Sequence, residues 1–277
     1  MNTVKTFILM AALTGLFMVG GQALAGQQGI MFALIMALGL NFFAYWNSDK
    51  MALAMNKARE VSEAEAPDLH QMVATLATRA GIPKPKVYVV DNPTPNAFAT
   101  GRNPEHAAVA VTTGIMQALN REELEGVLGH ELGHIKNRDI LISSIAAVMA
   151  GAISYLATMA QWGMMFGGRR DDGNGGSPIA TIIMMIVAPL AASMIQMAIS
   201  RSREYIADAA GAEISGHPKA LASALDKLSN YNKQRPMEVN PASAQMYIVN
   251  PLSRSSLAKL FSTHPPMEER IRRLMAM

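Results

Sequence analysis

Residues His130, Glu131, Leu132, Gly133 and His134 form the pattern H-E-x-x-H. On a helix, four positions turn through about 400° and rise about 6 Å, so both imidazoles share a face one turn apart. Two nitrogens placed that way can hold one zinc ion, each at about 2.0–2.1 Å. Glu131 is offset from that face, yet within reach of a water at the open position of the metal. The chemistry this predicts is metal-assisted hydrolysis with Glu131 as general base. The competing reading is two core histidines, which would need neither the glutamate nor a partner one turn away.

Catalytic zinc usually takes three protein ligands and a water. The chain has no cysteine, so the third must be another histidine or a carboxylate. Glu204, in S-R-S-R-E-Y-I-A-D, is the candidate, and Asp208 one turn later is placed to accept the outer N–H of a ligand histidine. Alternatively, Glu204 pairs with Arg201 or Arg203 on a solvated face. His264, before Pro265 and Pro266, is a candidate for steadying an oxyanion, or else a structural residue at a helix entrance. Asn96 opens a candidate strand, 96–100; that strand or 107–111 would align a substrate backbone by strand addition. An ordinary structural sheet explains the same residues equally well. His70, His106 and His217 show no partner pattern.

The elements that must position these residues follow from local signals. Asn120 and Glu123 read as a capping box opening a site helix from 121 to about 138, with Val127, Leu128, Leu132 and Ile135 as its apolar stripe. Pro67 and Asp68 open an earlier helix that Gly81 closes. Residues 86–90, 96–100 and 107–113 read as short strands of a small sheet. Residues 218–230 form an amphipathic helix. Glu268 and Glu269 followed by Arg270, Arg272 and Arg273 match an ordinary helix dipole.

Half of the 277 residues are hydrophobic and only 16% are charged, and long apolar runs account for the excess. Runs 4–25 and 29–46 are separated by Gly26, Gln27 and Gln28, a tight helical hairpin. The ending Ala23-Leu24-Ala25-Gly26 also fits a cleaved signal peptide. Tyr45 and Trp46 suit a membrane interface, and residues 49–59 are expected to continue the second helix outward. Lys5 before the hairpin, and Lys50, Lys57 and Arg59 after it, place both ends on the cytoplasmic side. Runs 140–160 and 178–199 flank a glycine-rich loop at 163–177. They are long enough to span a membrane, with a packed soluble helix pair as the alternative. That hairpin would bring the site helix and the helix of Glu204 out side by side. A net charge of +3 gives no case for nucleic acid. No apolar run contains an aspartate, glutamate or histidine, which argues against an ion transporter.

The ordered segments E-A-P-D-L-H-Q-M-V, A-G-I-P-K-P-K-V-Y-V-V-D, P-N-A-F-A-T-G-R-N-P, H-A-A-V-A-V-T-T-G, E-L-E-G-V-L-G-H-E-L-G-H-I-K-N-R-D and S-R-S-R-E-Y-I-A-D resemble the HtpX family of bacterial membrane zinc metalloproteases, over nearly the whole chain. That family is related to the endopeptidases that process prenylated proteins. The resemblance implies one zinc per chain on His130, His134 and Glu204, with Glu131 catalytic. It implies an α+β, mainly helical integral membrane protein with a gluzincin-like cytosolic catalytic domain. The expected segments are a transmembrane hairpin (1–47), a first catalytic part with the sheet and site helix (48–139), a second hydrophobic hairpin inserted between the metal-binding helices (140–199), and a second catalytic part (200–277). It further implies a multi-pass protein of the bacterial inner membrane, cutting misfolded membrane proteins under stress, with self-cleavage and cooperation with other membrane proteases. The alternative is a non-catalytic membrane zinc protein serving as an adaptor or scaffold for proteolysis.

Overall fold

The computed structural model describes residues 2–151, 201–234, 243–250 and 265–277. His264, the glycine-rich loop, the last part of the third apolar run and the whole of the fourth lie outside the described residues.

Helix α1 (Asn2–Met55) is broken at Ala25 (φ −144°, ψ 24°) and Gly26 (φ 58°, ψ −141°). A positive φ favours glycine, which is why the chain reverses here. The two arms, Val4–Gln22 and Ala25–Met55, are each long and apolar enough to cross a membrane. They run antiparallel: Asn41 Nδ2 donates to Thr14 Oγ1 at 2.8 Å, and the Phe7 and Tyr45 rings stack with centroids 6.4 Å apart. Pairing these polar groups removes a cost that neither could shed in lipid. Val19, Phe32, Ile35 and Phe42 are all more than 60% exposed, a face that suits hydrocarbon and not water.

The second arm stops at Met55, short of the expected 59. Lys57 adopts a left-handed conformation (φ 52°), and the chain turns into strand β1 (Ala58–Glu60). With β2 (Lys86–Val90), β3 (Ala97–Gly101) and β4 (Ala107–Thr112) it forms a sheet of order β1-β2-β4-β3. β1 pairs antiparallel to β2, β2 parallel to β4, and β3 antiparallel to β4. Helix α2 (Pro67–Ala80) ends on Gly81 at φ 70°, and α3 (Thr113–Ala118) follows β4.

Helix α4 (Arg121–Lys136) is the centre of the core. Its capping box is complete: Glu123 N donates to Asn120 Oδ1 and Asn120 N to Glu123 Oε2, each at 2.9 Å. Val127, Leu128, Leu132 and Ile135 are wholly buried. Helix α5 (Ile140–Gly151) then packs Leu141, Ile142, Ile145 and Met149 against Leu9, Met10 and Leu13 of the membrane hairpin. Helices α6 (Arg201–Ser215), α7 (Pro218–Gln234) and α8 (Met267–Met275) complete the helical side.

Helix α6 lies antiparallel on α4 at very close range. A Cβ added at Gly129 would stand 2.8 Å from Gly211 O, and one added at Gly211 would stand 2.6 Å from His130 N. At the next turn, a Cβ on Gly133 would meet Ala210 Cβ at 3.1 Å. Glycine and alanine at the crossing let the two backbones approach as larger residues would not. This contact sets the site.

Candidate metal centre

The crossing brings together the three groups that the spacing argument selected. The Nε2 atoms of His130 and His134 are 3.1 Å apart. Glu204 Oε2 is 3.8 Å from His130 Nε2, and Glu204 Oε1 is 3.6 Å from His134 Nε2. Donors at about 2.0–2.1 Å around a tetrahedral ion sit about 3.3 Å from one another, so the observed spacings suit one ion. Among the described residues this is the one group of histidines and acids with its ligand atoms mutually within 4.8 Å.

Each imidazole is oriented from behind. His130 Nδ1 lies 2.9 Å from Asp208 Oδ1 in an off-axis contact, and His134 Nδ1 lies 3.1 Å from Asp139 Oδ1. With both Nδ1 atoms turned to carboxylates, both Nε2 atoms point at one spot, where a bound cation would take the place of the proton they share. Asp208 is itself held in a fork by Arg270: Nε donates to Oδ2 at 2.8 Å and Nη2 to Oδ1 at 2.7 Å. Arg270 is fully buried, comes within 3.5 Å of Glu204 Oε2, and donates from Nη1 to Ile248 O at 2.9 Å.

The electrostatics follow. Burial pushes His130 down despite Asp208. Burial would also lower His134, but Asp139, Glu204 and Glu131 reverse this and raise it to about 10. Burial pushes Asp208 up, and the Arg270 fork and His130 more than undo it, holding the carboxyl at about 2. Glu131 is driven up to about 8 by burial, against the pull of His134. Its carboxylate accepts the Ala99 N–H, while Oε1 has no hydrogen-bond partner among the described residues.

Glu131, His134 and Glu204 face a cleft whose far wall is Gln245, Met246, Tyr247 and Ile248. Ala99 of β3 and Arg203 line it as well. Asn96 does not: it is wholly buried, donates from Nδ2 to Val249 O at 2.8 Å, and accepts the Ala97 and Val249 N–H groups. In the structure Asn96 latches the sheet to the 243–250 segment. That segment also covers one end of the β3 edge, where Ile248 N donates to Ala97 O at 3.0 Å.

Sequence reasoning missed Arg270 and Asp139. For Arg270 a signal existed. Met267, Arg270, Ile271 and Leu274 are spaced as one apolar helix face, and a cation on such a face calls for a buried anion.

A membrane-anchored helical fold that closes on two histidines of H-E-x-x-H and a carboxylate from a second helix defines a membrane metallopeptidase. Residues 63–277 match Peptidase family M48. The chain is 61% identical over 278 residues to a protease HtpX homolog of Thermodesulfovibrio yellowstonii, covering 100% of this chain and 99% of the relative. It is 59% identical over 279 residues to a protease HtpX homolog of Ralstonia pickettii, covering 100% and 96%. The crystal structure of S. mikatae Ste24p superposes with a TM-score of 0.54 at 20% identity, covering 99% of this chain and 65% of that longer chain, a likeness of fold. The chain belongs to peptidase family M48, among the HtpX proteases.

Proposed function

We propose that this metalloprotease uses zinc, held by His130, His134 and Glu204, to hydrolyse peptide bonds of misfolded membrane proteins at the cytoplasmic face of a bacterial inner membrane. What carries the reading is the placement of Glu131. Its Oε1 is buried, without a hydrogen-bond partner among the described residues, in the cleft that His134 and Glu204 also line, with His130 completing the donor set beside them.

A bound zinc supplies Lewis acidity, drawing the pKa of a water toward about 7 and polarising a carbonyl. The chain's own residues do the rest. Glu131 Oε1 accepts the proton of the attacking water, and the same carboxyl delivers it to the leaving amine. A carboxyl raised to about 8 by burial gives up its charge readily, which favours the first transfer. Asp208 and Asp139 keep both imidazoles turned inward through the cycle. Lys5 ahead of the hairpin, and Lys50, Lys57 and Arg59 behind it, support a cytoplasmic site. A membrane-embedded hairpin beside the cleft supports membrane-protein substrates and a quality-control role under stress.

Glu131→Gln should retain about one zinc per chain and abolish cleavage of an unfolded membrane protein in proteoliposomes. Chelation should silence the wild type, and zinc should restore it. Turnover by Glu131→Gln at the wild-type rate would remove Glu131 as the base.

A further inference from the structure

The cytosolic end of the membrane hairpin is tied to the wall of the cleft by a buried polar junction outside the metal centre. Asn56, the first residue after α1, is 6% exposed, and its Nδ2 donates to Ala52 O at 2.7 Å, closing the helix end. Its Oδ1 accepts two hydroxyls from residues far along the chain, Ser243 Oγ at 2.9 Å and Tyr247 Oη at 3.0 Å. Tyr247 is wholly buried, packs edge-on against Phe98 of β3 with centroids 5.1 Å apart, and lines the cleft. The next residue, Ile248, donates to Ala97 O and receives Arg270 Nη1, and Arg270 grips Asp208 behind His130.

We propose that Asn56 is a positioning residue: it sets the cleft wall, through Tyr247 and Ser243, according to the lie of the membrane hairpin. The mechanics favour this. Past the break at Ala25 and Gly26, the second arm runs on to Met55 without another interruption, about 43 Å of rod. It exceeds a hydrocarbon layer of about 30 Å, and such a helix answers changes in bilayer thickness by tilting. A tilt moves its end, and Asn56 is that end. Both hydroxyls converge on a single oxygen in a dry environment, so the 243–250 segment must follow the helix or strip Asn56 Oδ1 and the buried Tyr247 hydroxyl of this bond. The Tyr247 hydroxyl faces Asn56 and not the substrate space, so the residue transmits position without joining the chemistry.

The inference rests on the protease reading for its kinetic readout, and a second readout is independent of it. The full zinc-loaded chain is reconstituted in short-chain and in long-chain phosphatidylcholine vesicles as wild type, Asn56→Ala, Tyr247→Phe and the double variant. Hydrogen exchange of the 243–250 amides is measured beside kcat and KM on an unfolded protein substrate. In the wild type, exchange in this segment and KM both change between the two bilayers. In Asn56→Ala, exchange there rises about tenfold or more, KM rises about tenfold with kcat and zinc content retained, and the response to bilayer thickness disappears. The double variant is no worse than Asn56→Ala alone, because both substitutions cut the same link. Wild-type exchange and an intact thickness response in Asn56→Ala would overturn the proposal, as would losses that multiply in the double variant. If Asn56→Ala fails to fold, Tyr247→Phe, which keeps the packing on Phe98, carries the same readouts. A wild type that shows the exchange response but cuts nothing would sink the protease reading and leave this link supported.

Discussion

At the scale of single residues, Arg270 decides more than its place on a charged C-terminal helix suggests. It is a fully buried cation between Asp208, which it grips with two donors, and Glu204, 3.5 Å away. Removing one partner of a buried pair leaves the other charge uncompensated, at a cost of about 3–5 kcal/mol. Arg270→Met should therefore destabilise the metal-free protein by about that amount. Arg270→Lys, which keeps the charge but loses the planar fork, should fall between. The sign with pH is fixed by Asp208. A carboxyl held at about 2 contributes stability that is fully present above the unfolded value of about 4 and is lost as pH falls through 2. Without Arg270 that value rises, so the acid limb of the stability curve should move to higher pH. Denaturant melts of the two variants across the acid range test this, and an unmoved acid limb in Arg270→Met would count against the assigned role of the fork. The contrast with Asn96 is instructive. Both are polar side chains in the core, but the signal for Arg270 lay in its own helix face, while the partner of Asn96 is Val249, more than 150 positions away.

Between elements, the crossing of α4 and α6 places Glu204 on the histidine pair. Its tolerance is set by backbone and not by side chains that could swing aside. An added Cβ at Gly211 would meet the His130 backbone, N at 2.6 Å and Cα at 2.8 Å, whereas one at Gly133 would meet the Ala210 methyl at 3.1 Å. Gly211→Ala should push the helices apart, destabilise by about 1–3 kcal/mol, and weaken metal binding by about tenfold or more. Gly133→Ala should do distinctly less on both measures, read by thermal melts and by competition with a chelating dye. Equal effects would mean that the crossing does not set the site. The limits of α4 and α2 were legible because caps and apolar spacing are local: Asn120 with Glu123, Pro67 with Gly81. β1 was not. Ala58, Arg59 and Glu60 carry no alternation, and the strand exists because β2 offers it an edge and Lys57 accepts a left-handed turn. The 243–250 segment escaped notice for the same reason, since its conformation is fixed by Asn56, Asn96 and Arg270 and not by its own residues.

For the whole molecule, the metal site joins α4 to α6 and, through Asp208 and Arg270, to α8, so loading should stabilise the fold as one unit. Ligand binding to the native state alone adds RT ln(1 + [L]/Kd), about 2.7 kcal/mol at a hundredfold excess over Kd. Proton competition should shape that gain. His134 at about 10 keeps its proton at neutral pH in the metal-free protein, because Asp139, Glu204 and Glu131 outweigh its burial. Glu131 at about 8 is largely protonated there too. A raised histidine stabilises the metal-free fold below its unfolded value of about 6.5, and that contribution is lost as pH climbs through 10. The metal requires a neutral imidazole and favours an ionised Glu131, so loading expels protons and affinity climbs with pH, about tenfold per unit for each proton released. The metal-induced rise in Tm at fixed free zinc should accordingly be small near pH 6 and grow steadily toward pH 8. Scanning calorimetry of the full chain, with and without zinc, measures both limbs at once. A zinc-induced shift that stays constant across that range would mean that neither His134 nor Glu131 surrenders a proton on loading. The imidazole pair would then already sit in its ligating form, and the acids around it would be serving another purpose.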